Sequence, residues 1–236
     1  MSYKTQGAPN LRPRVLLGVS DCLASVDFIK LALEILKSYD LAIVLNKRAK
    51  YYYRIANEYD RESWLEFQQL IIDNKVRIFT DDHNEIILPN ILKKYTLSND
   101  LVNWANILII APLSTNCLAK ITNGINDNLL TSIVRSWGSS KLLILVPSMN
   151  RNMFNNSLTQ KHLCEIANIF KNTKTIINIG TYKLPITKII EEMNYCCTKN
   201  KIKPIKTYTG IMLGVAGIGA AAAYFGLSSK SNTGRA

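Results

Sequence analysis

Short apolar runs alternate along the chain with longer stretches in which apolar residues recur at helical spacing. The apolar runs predict β-strands at residues 14–20, 41–45, 76–79, 107–110, 142–146 and 175–179. The spacing also predicts helices at residues 26–38 and 64–72. Strands that alternate with helices indicate a mostly parallel sheet with helices on both faces. The pattern therefore predicts a single α/β domain over residues 14–197.

One of these apolar runs, residues 106–111, is followed closely by short polar side chains. The polar residues that crowd onto the carboxyl end of this strand are Ser114, Thr115, Asn116 and Cys117. In an open parallel sheet, the carboxyl ends of the strands are where ligands bind. Hydroxyl and amide groups at that place can hydrogen-bond a flat heteroaromatic ring without adding charge. We therefore expect this segment to be a ligand-binding loop.

Two blocks of the sequence resemble a known protein family. Residues 111–137, APLSTNCLAKITNGINDNLLTSIVRSW, are similar to the flavin-binding signature of the phosphopantothenoylcysteine decarboxylases, the flavoproteins of coenzyme A synthesis. Residues 147–150, Pro-Ser-Met-Asn, with Met153 three positions further on, resemble that family's Pro-x-Met-Asn-x-x-Met motif. The resemblance covers residues 14–192 and implies a Rossmann-like (flavodoxin-like) flavoprotein domain that binds FMN.

The resemblance places FMN at the ends of several strands. The positions that it assigns to the cofactor are Ser20, Cys22, Asn46, Lys47, Arg48, Ser114, Thr115, Asn116, Cys117 and Ser148. The family's Gly-Ser phosphate turn corresponds to Asp21 and Cys22, so a negative charge stands where a phosphate is expected. Ser20, Lys47 or Arg48 could compensate for that charge; alternatively, Asp21 caps the helix that follows. The alternative to a working FMN site is a relic pocket, kept because the loop supports the fold.

The family's reaction, as the resemblance implies it, needs more than the flavin. The flavin oxidises the substrate thiol, carbon dioxide is lost, and a Cys on a flap helps to restore the thiol. Asn150 matches the family's catalytic and substrate-binding Asn, and Met153 is a further substrate contact. The family's His corresponds to Ser98 and its flap Cys to Ile179, and neither can supply the chemistry of the original residue. Alternatively, Asn150 is a turn residue and Met153 packs near the core.

Three functions are compatible with these residues. In the first, the chain is a subunit of a hetero-oligomeric decarboxylase, in which homologous subunits supply the missing His and Cys and 4′-phosphopantothenoylcysteine binds at a shared interface. The resemblance implies a trimer, either a homotrimer or a heterotrimer, and a homotrimer of this chain alone should not complete the reaction. In the second, it is a catalytically inactive paralogue with a regulatory role, similar to the fungal halotolerance proteins that inhibit a protein phosphatase, although those carry an acidic tail. In the third, it is a membrane-attached flavoprotein scaffold. We expect the first, with little or no activity of the chain alone.

Composition narrows the choice of partners and of site chemistry. The chain of 236 residues has a net charge of +12, and residues 198–236 contain six basic residues and no acid. No recognition motif accompanies this charge, so we expect no nucleic-acid partner. The five cysteines have neither metal-binding nor disulfide-framework spacing, and the chain has two histidines. These counts favour a reducing compartment and argue against a metal site.

The two ends of the chain differ in composition from the domain. Residues 1–13 are predicted to be a flexible arm and residues 198–209 a basic linker. Residues 210–227 run for 18 positions without a charge, close to the length of a transmembrane helix, and residues 228–236 form a polar tail. We therefore expect a tail anchor that holds the domain at the cytoplasmic face of a membrane, with the mitochondrial outer membrane as first choice. The alternatives are an apolar C-terminal helix packed on the domain or a disordered tail, either of them in a cytoplasmic protein.

Overall fold

The computed structural model describes residues 12–81 and 97–202 of the chain. Its strands are β1 Arg14–Val19, β2 Asp40–Leu45, β3 Val76–Thr80, β4 Ile107–Leu113, β5 Leu142–Met149, β6 Thr173–Thr175 and β7 Asn178–Ile179. Its helices are α1 Phe28–Leu36, α2 Ala49–Tyr59, α3 Arg61–Ile72, α4 Leu97–Trp104, α5 Thr115–Thr122, α6 Leu129–Ser136, α7 Arg151–Asn155, α8 Ser157–Ile169 and α9 Ile186–Lys199. A 3₁₀ turn, Leu23–Asp27, precedes α1.

All the strand pairs are parallel, and the spatial order is β3-β2-β1-β4-β5-β6, with β7 also paired to β5. The residues of β4 and β5 are buried along their whole lengths. Strands that are covered on both faces have no polar face, which explains why they stand out in the sequence as continuous apolar runs. The predicted α/β class and the mostly parallel sheet are confirmed.

The two faces of the sheet are covered by different helices, because alternate residues of each strand point to opposite faces. On one face, Val15 and Leu17 of β1 pack in a cluster with residues of α1, α2, α3 and α9. On the other face, Leu16 packs with residues of α4, α5, α6 and α8. A Cβ on Gly18 would lie 2.5 Å from Cδ1 of Leu130 in α6. The glycine therefore permits the close approach of α6 to the centre of the sheet.

Three predicted strands differ from the structure by more than one residue at an end. The strands predicted at residues 107–110 and 142–146 continue to Leu113 and Met149, where the chain is still buried and paired. The run predicted as one strand at residues 175–179 contributes instead to two short strands, β6 and β7, which pair in succession with β5. The longer strands bring the polar residues that follow them to the same edge of the sheet.

The helix predictions were incomplete. The helix predicted at residues 26–38 is α1, which ends at Leu36 and is preceded by the 3₁₀ turn. Helix α2 was missed, because its inward-facing residues are Ala49, Tyr53 and Ala56. These small or partly polar side chains give a weak apolar signal, although their spacing is helical. This helix begins just after the end of β2, so it positions one side of the crevice described below.

The predicted chain ends fall largely outside the described residues. Helix α9 ends at Lys199, and Ile202 packs against the core of the domain. The segment at residues 210–227, predicted as an apolar helix and tail anchor, lies outside the described part of the chain, as do the polar tail and most of the N-terminal arm. Within residues 12–81 and 97–202, none of the helices combines the length and apolar character that crossing a membrane requires.

Candidate flavin site

The carboxyl ends of β1, β2, β4 and β5 form one edge of the sheet, and the predicted cofactor residues lie along it. In the sheet, β1 is flanked by β2 and β4. The chain adds β2 and β3 on one side of β1, and then crosses over to add β4, β5 and β6 on the other side. The place where the direction changes, between β1 and β4, is where parallel α/β sheets open a crevice for ligands. Here the residues that border that place are those that follow β1, from Ser20 to Cys22, and those that follow β4, from Ser114 to Asn116, and we call it the crevice.

Ser20 joins the ends of β1 and β4. Its hydroxyl donates a hydrogen bond to the carbonyl of Pro112 (2.9 Å) and accepts one from the backbone N–H of Ser114 (2.6 Å). The residue is fully buried. Ser20 was predicted to contact the cofactor and to compensate for the charge of Asp21. That contact stays a prediction, and the hydroxyl has a structural role in addition, because both of its bonds fix one strand end against the other.

Asp21 lies at the centre of the crevice. Its Oδ1 accepts hydrogen bonds from Oγ of Ser114 (3.1 Å) and from Nδ2 of Asn46 (3.2 Å), and its Oδ2 is 3.6 Å from Nη1 of Arg48. These partners follow β4 and β2, so one carboxylate connects three strand ends. The alternative prediction that Asp21 caps the next helix is wrong, since its carboxylate turns away and Cys22 occupies the cap position.

The loop after β2 is held on both sides. Oδ1 of Asn46 accepts a hydrogen bond from the N–H of Ala49 (2.8 Å) at the start of α2. Asp81, just after β3, accepts hydrogen bonds from the N–H groups of Lys47 (3.0 Å) and of Leu129 (2.9 Å), the first residue of α6. Asp81 was not predicted, because nothing in its local sequence indicates two partners so far along the chain. The loop is thereby fixed, while the side chain of Lys47 is exposed.

The four residues predicted to face the flavin ring divide into two groups. Oγ of Ser114 accepts a hydrogen bond from the N–H of Cys117 (3.2 Å) and caps α5. The side chain of Cys117 packs in the core, where burial raises the pKa of the thiol to about 12. Thr115 is half-buried and Asn116 exposed, both in the first turn of α5. Thr115 and Asn116 therefore remain as the uncharged polar side chains available to a ring.

Ser148, the predicted cofactor residue near the end of β5, is paired with Asn178 of β7. Nδ2 of Asn178 donates to Oγ of Ser148 (3.1 Å) and to the carbonyl of Lys183 (3.1 Å), and Asn178 is itself buried. The N–H of Leu184 donates to Oδ2 of the buried Asp27 (3.0 Å). These bonds hold the loop after β7 against the end of the 3₁₀ turn. Neither Asn178 nor Asp27 was predicted, because their partners are distant in sequence.

Asn150 and Met153 lie at the end of β5 on an exposed surface. Oδ1 of Asn150 accepts a hydrogen bond from the N–H of Met153 (2.8 Å), so Asn150 caps α7. This contact uses the oxygen of the amide and leaves its role as a substrate donor a prediction. The side chain of Met153 is 48% exposed, so the alternative prediction that it packs in the core is wrong.

The residues at the predicted positions of the catalytic His and Cys belong to the framework. Ser98 lies in α4 and is buried, and Ile179 is the last residue of β7. Cys22, predicted to bind the cofactor, is half-buried beside the crevice, and burial raises the pKa of its thiol to about 11. That thiol is protonated at neutral pH and is a poor nucleophile. Among the described residues at this edge, polar groups suited to binding are therefore abundant, and groups suited to proton transfer or thiol chemistry are few.

The strand order, the crevice between β1 and β4 and its polar rim define a Rossmann-like α/β ligand-binding protein. Residues 4–207 match the model of the family described as Flavoprotein, and the chain belongs to that family. A curated relative, a probable phosphopantothenoylcysteine decarboxylase of Arabidopsis thaliana, is 37% identical over 152 residues, which are 64% of this chain and 68% of that protein. The resemblance to the phosphopantothenoylcysteine decarboxylases is thereby confirmed.

Solved structures agree with this assignment. A Cys-to-Ser mutant of PPC decarboxylase superimposes with a TM-score of 0.67 at 28% identity, over 80% of this chain and 99% of that chain. The structure described as the FMN binding protein AtHal3 superimposes with a TM-score of 0.63 at 27% identity, over 80% of this chain and 98% of that chain. The match extends over nearly the whole of each relative's chain, so the likeness concerns the entire domain.

One curated relative is similar over a short segment alone. A probable thymidylate synthase of Schizosaccharomyces pombe (strain 972 / ATCC 24843) is 45% identical over 91 residues. The match covers 39% of this chain and 13% of that protein. Nothing about the synthase activity carries over to this chain from so small a share of the protein.

Proposed function

We propose that this chain binds FMN in the crevice between β1 and β4 and acts as a subunit of a phosphopantothenoylcysteine decarboxylase oligomer in coenzyme A synthesis. The FMN named for AtHal3 and the activity named for the Arabidopsis relative support the proposal. FMN would supply the oxidation of the substrate thiol. One observation carries the proposal: polar side chains from the ends of β1, β2 and β4 converge on one crevice, whereas Ser98 and Ile179 stand where His and Cys are needed.

The residues of the crevice fit the ring system of a flavin. Thr115 and Asn116 present a hydroxyl and an amide in the first turn of α5, whereas the buried hydroxyl of Ser148, at the end of β5, is held by Asn178. A flavin ring carries both donors and acceptors along one edge, and amide and hydroxyl groups can match either. Lys47 and Arg48 are exposed beside the crevice and supply positive charge for the phosphate. The donors nearest to the end of β1 are already bonded to Asp21.

Completion of the reaction requires groups that Ser98 and Ile179 do not supply. A Ser hydroxyl does not accept and return a proton near neutral pH as an imidazole does. An Ile side chain has no thiol. Nδ2 of Asn150 is suited to hold an acceptor of the substrate, while its oxygen keeps the cap of α7. We infer that a homologous subunit provides the His and the Cys across a shared interface, at which 4′-phosphopantothenoylcysteine binds.

The test uses the full chain together with a family member that carries both the His and the Cys. In that partner, the Asn of the Pro-x-Met-Asn motif is replaced, so that productive sites depend on Asn150 of this chain. We expect each protein alone to be inactive, and the co-purified complex to be yellow and to release carbon dioxide. If the full chain, purified alone with added FMN, retains no flavin, the binding part of the proposed function is contradicted. If the complex releases no carbon dioxide, the catalytic part is contradicted.

Variants of Asn150 separate its cap from its action on substrate. Asn150→Asp retains an oxygen that accepts from the N–H of Met153, so the melting temperature should stay unchanged. The same change removes the amide donor and adds a charge, so carbon dioxide release should fall more than tenfold. Asn168→Asp, an exposed position in α8, makes the same change of charge away from the crevice and should have no effect. Equal activity of the two variants would remove Asn150 from the reaction.

Membrane attachment at the cytoplasmic face is a second proposal, supported by the sequence of residues 210–227 alone. Such an anchor would make the chain a scaffold that brings a flavoprotein oligomer to a membrane. An anchored full-length protein stays in the membrane pellet after a carbonate wash at alkaline pH. A protein that is found in the supernatant without any wash has no such anchor.

A regulatory role as an inactive paralogue would instead be supported by a protein phosphatase that co-purifies with the chain.

A further inference from the structure

We propose that Asp21 is an internal anion that occupies the donors of the crevice nearest to the end of β1. As a result, the site recognises the ring system of a flavin but discriminates little between FMN and its unphosphorylated form, riboflavin. This inference rests on the proposed function, since it assumes that the crevice binds a flavin. It concerns a property that the general proposal does not determine, namely which part of the ligand supplies the affinity.

The contacts of Asp21 are those of a bound anion. Its carboxylate accepts hydrogen bonds from Oγ of Ser114 (3.1 Å) and Nδ2 of Asn46 (3.2 Å) and has Nη1 of Arg48 at 3.6 Å. These three groups come from the ends of two strands on either side of β1 and converge on one pair of oxygens. The Asp21 side chain is 13% exposed, whereas that of Arg48 is 83% exposed. The carboxylate therefore lies inside the crevice and the guanidinium at its mouth.

The position of Asp21 coincides with the usual place of a ligand phosphate in such a fold. In Rossmann-like sheets the turn after the first strand points backbone N–H groups and a helix N-terminus at the phosphate. Here the N–H of Cys22 donates to the carbonyl of Ser20 (3.1 Å), and the N–H of Ser25 donates to the carbonyl of Cys22 (2.9 Å). The element that begins there is a 3₁₀ turn of five residues. The N–H groups of Cys22 and Ser25 are thus bonded to carbonyls within residues 20–25.

A phosphate that approached the backbone N–H groups of the turn after β1 would meet the carboxylate of Asp21. Like charges at close range in a partly buried site repel each other. The exposed Arg48 and Lys47 attract a phosphate from the solvent side, so the repulsion is offset rather than left uncompensated. The two effects oppose each other, and the phosphate of FMN therefore adds little net affinity. The ring contacts with Thr115 and Asn116 do not involve the carboxylate and are the same for both ligands.

The experiment titrates the full chain with FMN and, separately, with riboflavin, and follows the change in flavin fluorescence. The variant is Asp21→Asn, which retains an oxygen for Ser114 or Asn46 but removes the charge. The control is Glu58→Gln, which removes one negative charge from an exposed position near the end of α2. Thermal unfolding of each protein establishes that the fold is intact before the affinities are compared.

The wild-type protein and the control should bind FMN and riboflavin with dissociation constants within about threefold of each other. Asp21→Asn should bind FMN at least about tenfold more tightly and change riboflavin affinity less than threefold, and the gain for FMN should shrink at high salt. A wild-type protein that prefers FMN more than tenfold, or a variant that changes both affinities equally, would overturn the inference and leave the flavin site in place. If no protein in the series binds either flavin, the proposed function itself fails, and the inference with it.

Discussion

Replacement of Ser20 by Ala removes the hydroxyl that joins the ends of β1 and β4. In the native protein this hydroxyl donates to the carbonyl of Pro112 at 2.9 Å and accepts from the N–H of Ser114 at 2.6 Å. The two partners lose different amounts of bonding in the variant. The carbonyl of Pro112 still accepts from the backbone N–H of Ser20 at 3.2 Å. The N–H of Ser114 has no comparable substitute at the same place.

The size of the effect follows from this asymmetry. A buried donor that is left without an acceptor costs about 1–3 kcal/mol, and the loss of an ordinary internal hydrogen bond about 1 kcal/mol. Ser20 is fully buried, so water does not reach the vacated position easily. We therefore expect Ser20→Ala to lower the free energy of unfolding by about 2–3 kcal/mol. For a domain of this size, that corresponds to a fall in melting temperature of roughly 5–10 °C.

Thermal and urea unfolding, followed by circular dichroism, measure the loss for the full chain. Ser136→Ala is the matched control, because Ser136 is the exposed last residue of α6 and its replacement should change stability by no more than about 0.5 kcal/mol. A Ser20→Ala protein as stable as the control would refute the structural role of the hydroxyl.

Two further predictions concern titratable groups whose pKa is shifted by burial, one half-buried and one fully buried. Burial lowers the pKa of Lys141 from its usual value of 10.5 to about 8. Between these two pH values the unfolded chain binds more protons than the folded chain, so the free energy of unfolding rises with pH. Urea unfolding should therefore show that the stability of the wild type relative to Lys141→Met increases over that interval. A constant difference between the two proteins would show that the amine titrates normally. Iodoacetamide at pH 8 should modify the exposed Cys164 but not the buried Cys117, because burial raises the pKa of the Cys117 thiol to about 12. Peptide mass mapping identifies the modified residues, and an adduct on Cys117 in the folded protein would contradict its burial.

The sequence predicted the fold because the signals for it are local. The apolar runs that became β1, β2, β4 and β5 are long enough to recognise without knowledge of their partners. The same holds for the polar residues after β4, of which Ser114 forms the cap of α5. Helix α2 escaped prediction because Ala and Tyr supply its buried face. A buried face made of Ala and Tyr gives a weak apolar signal, so the helix is identified from the packing and not from the sequence.

The details of the site were less accessible, because they depend on bonds between distant parts of the chain. Ser20 was identified as a polar residue at the carboxyl end of β1. Its structural role depends on hydrogen bonds to Pro112 and Ser114, which lie more than 90 positions away in the sequence. Asp81 and Asn178 were missed for the same reason, since each binds groups on other elements. Asp21 was noted as an unusual charge, and its three partners became evident from the three-dimensional arrangement.

The outer side of β5 has a consequence for association between molecules. This side is divided between two short strands, because β6 pairs with residues 143–145 and β7 with residues 148–149. The edge that results has three residues in one strand and two in the other. An incoming strand needs a longer and straighter row of backbone groups to pair with. We therefore expect copies or homologues of this chain that meet at this side to join through side chains rather than by extending the sheet from molecule to molecule.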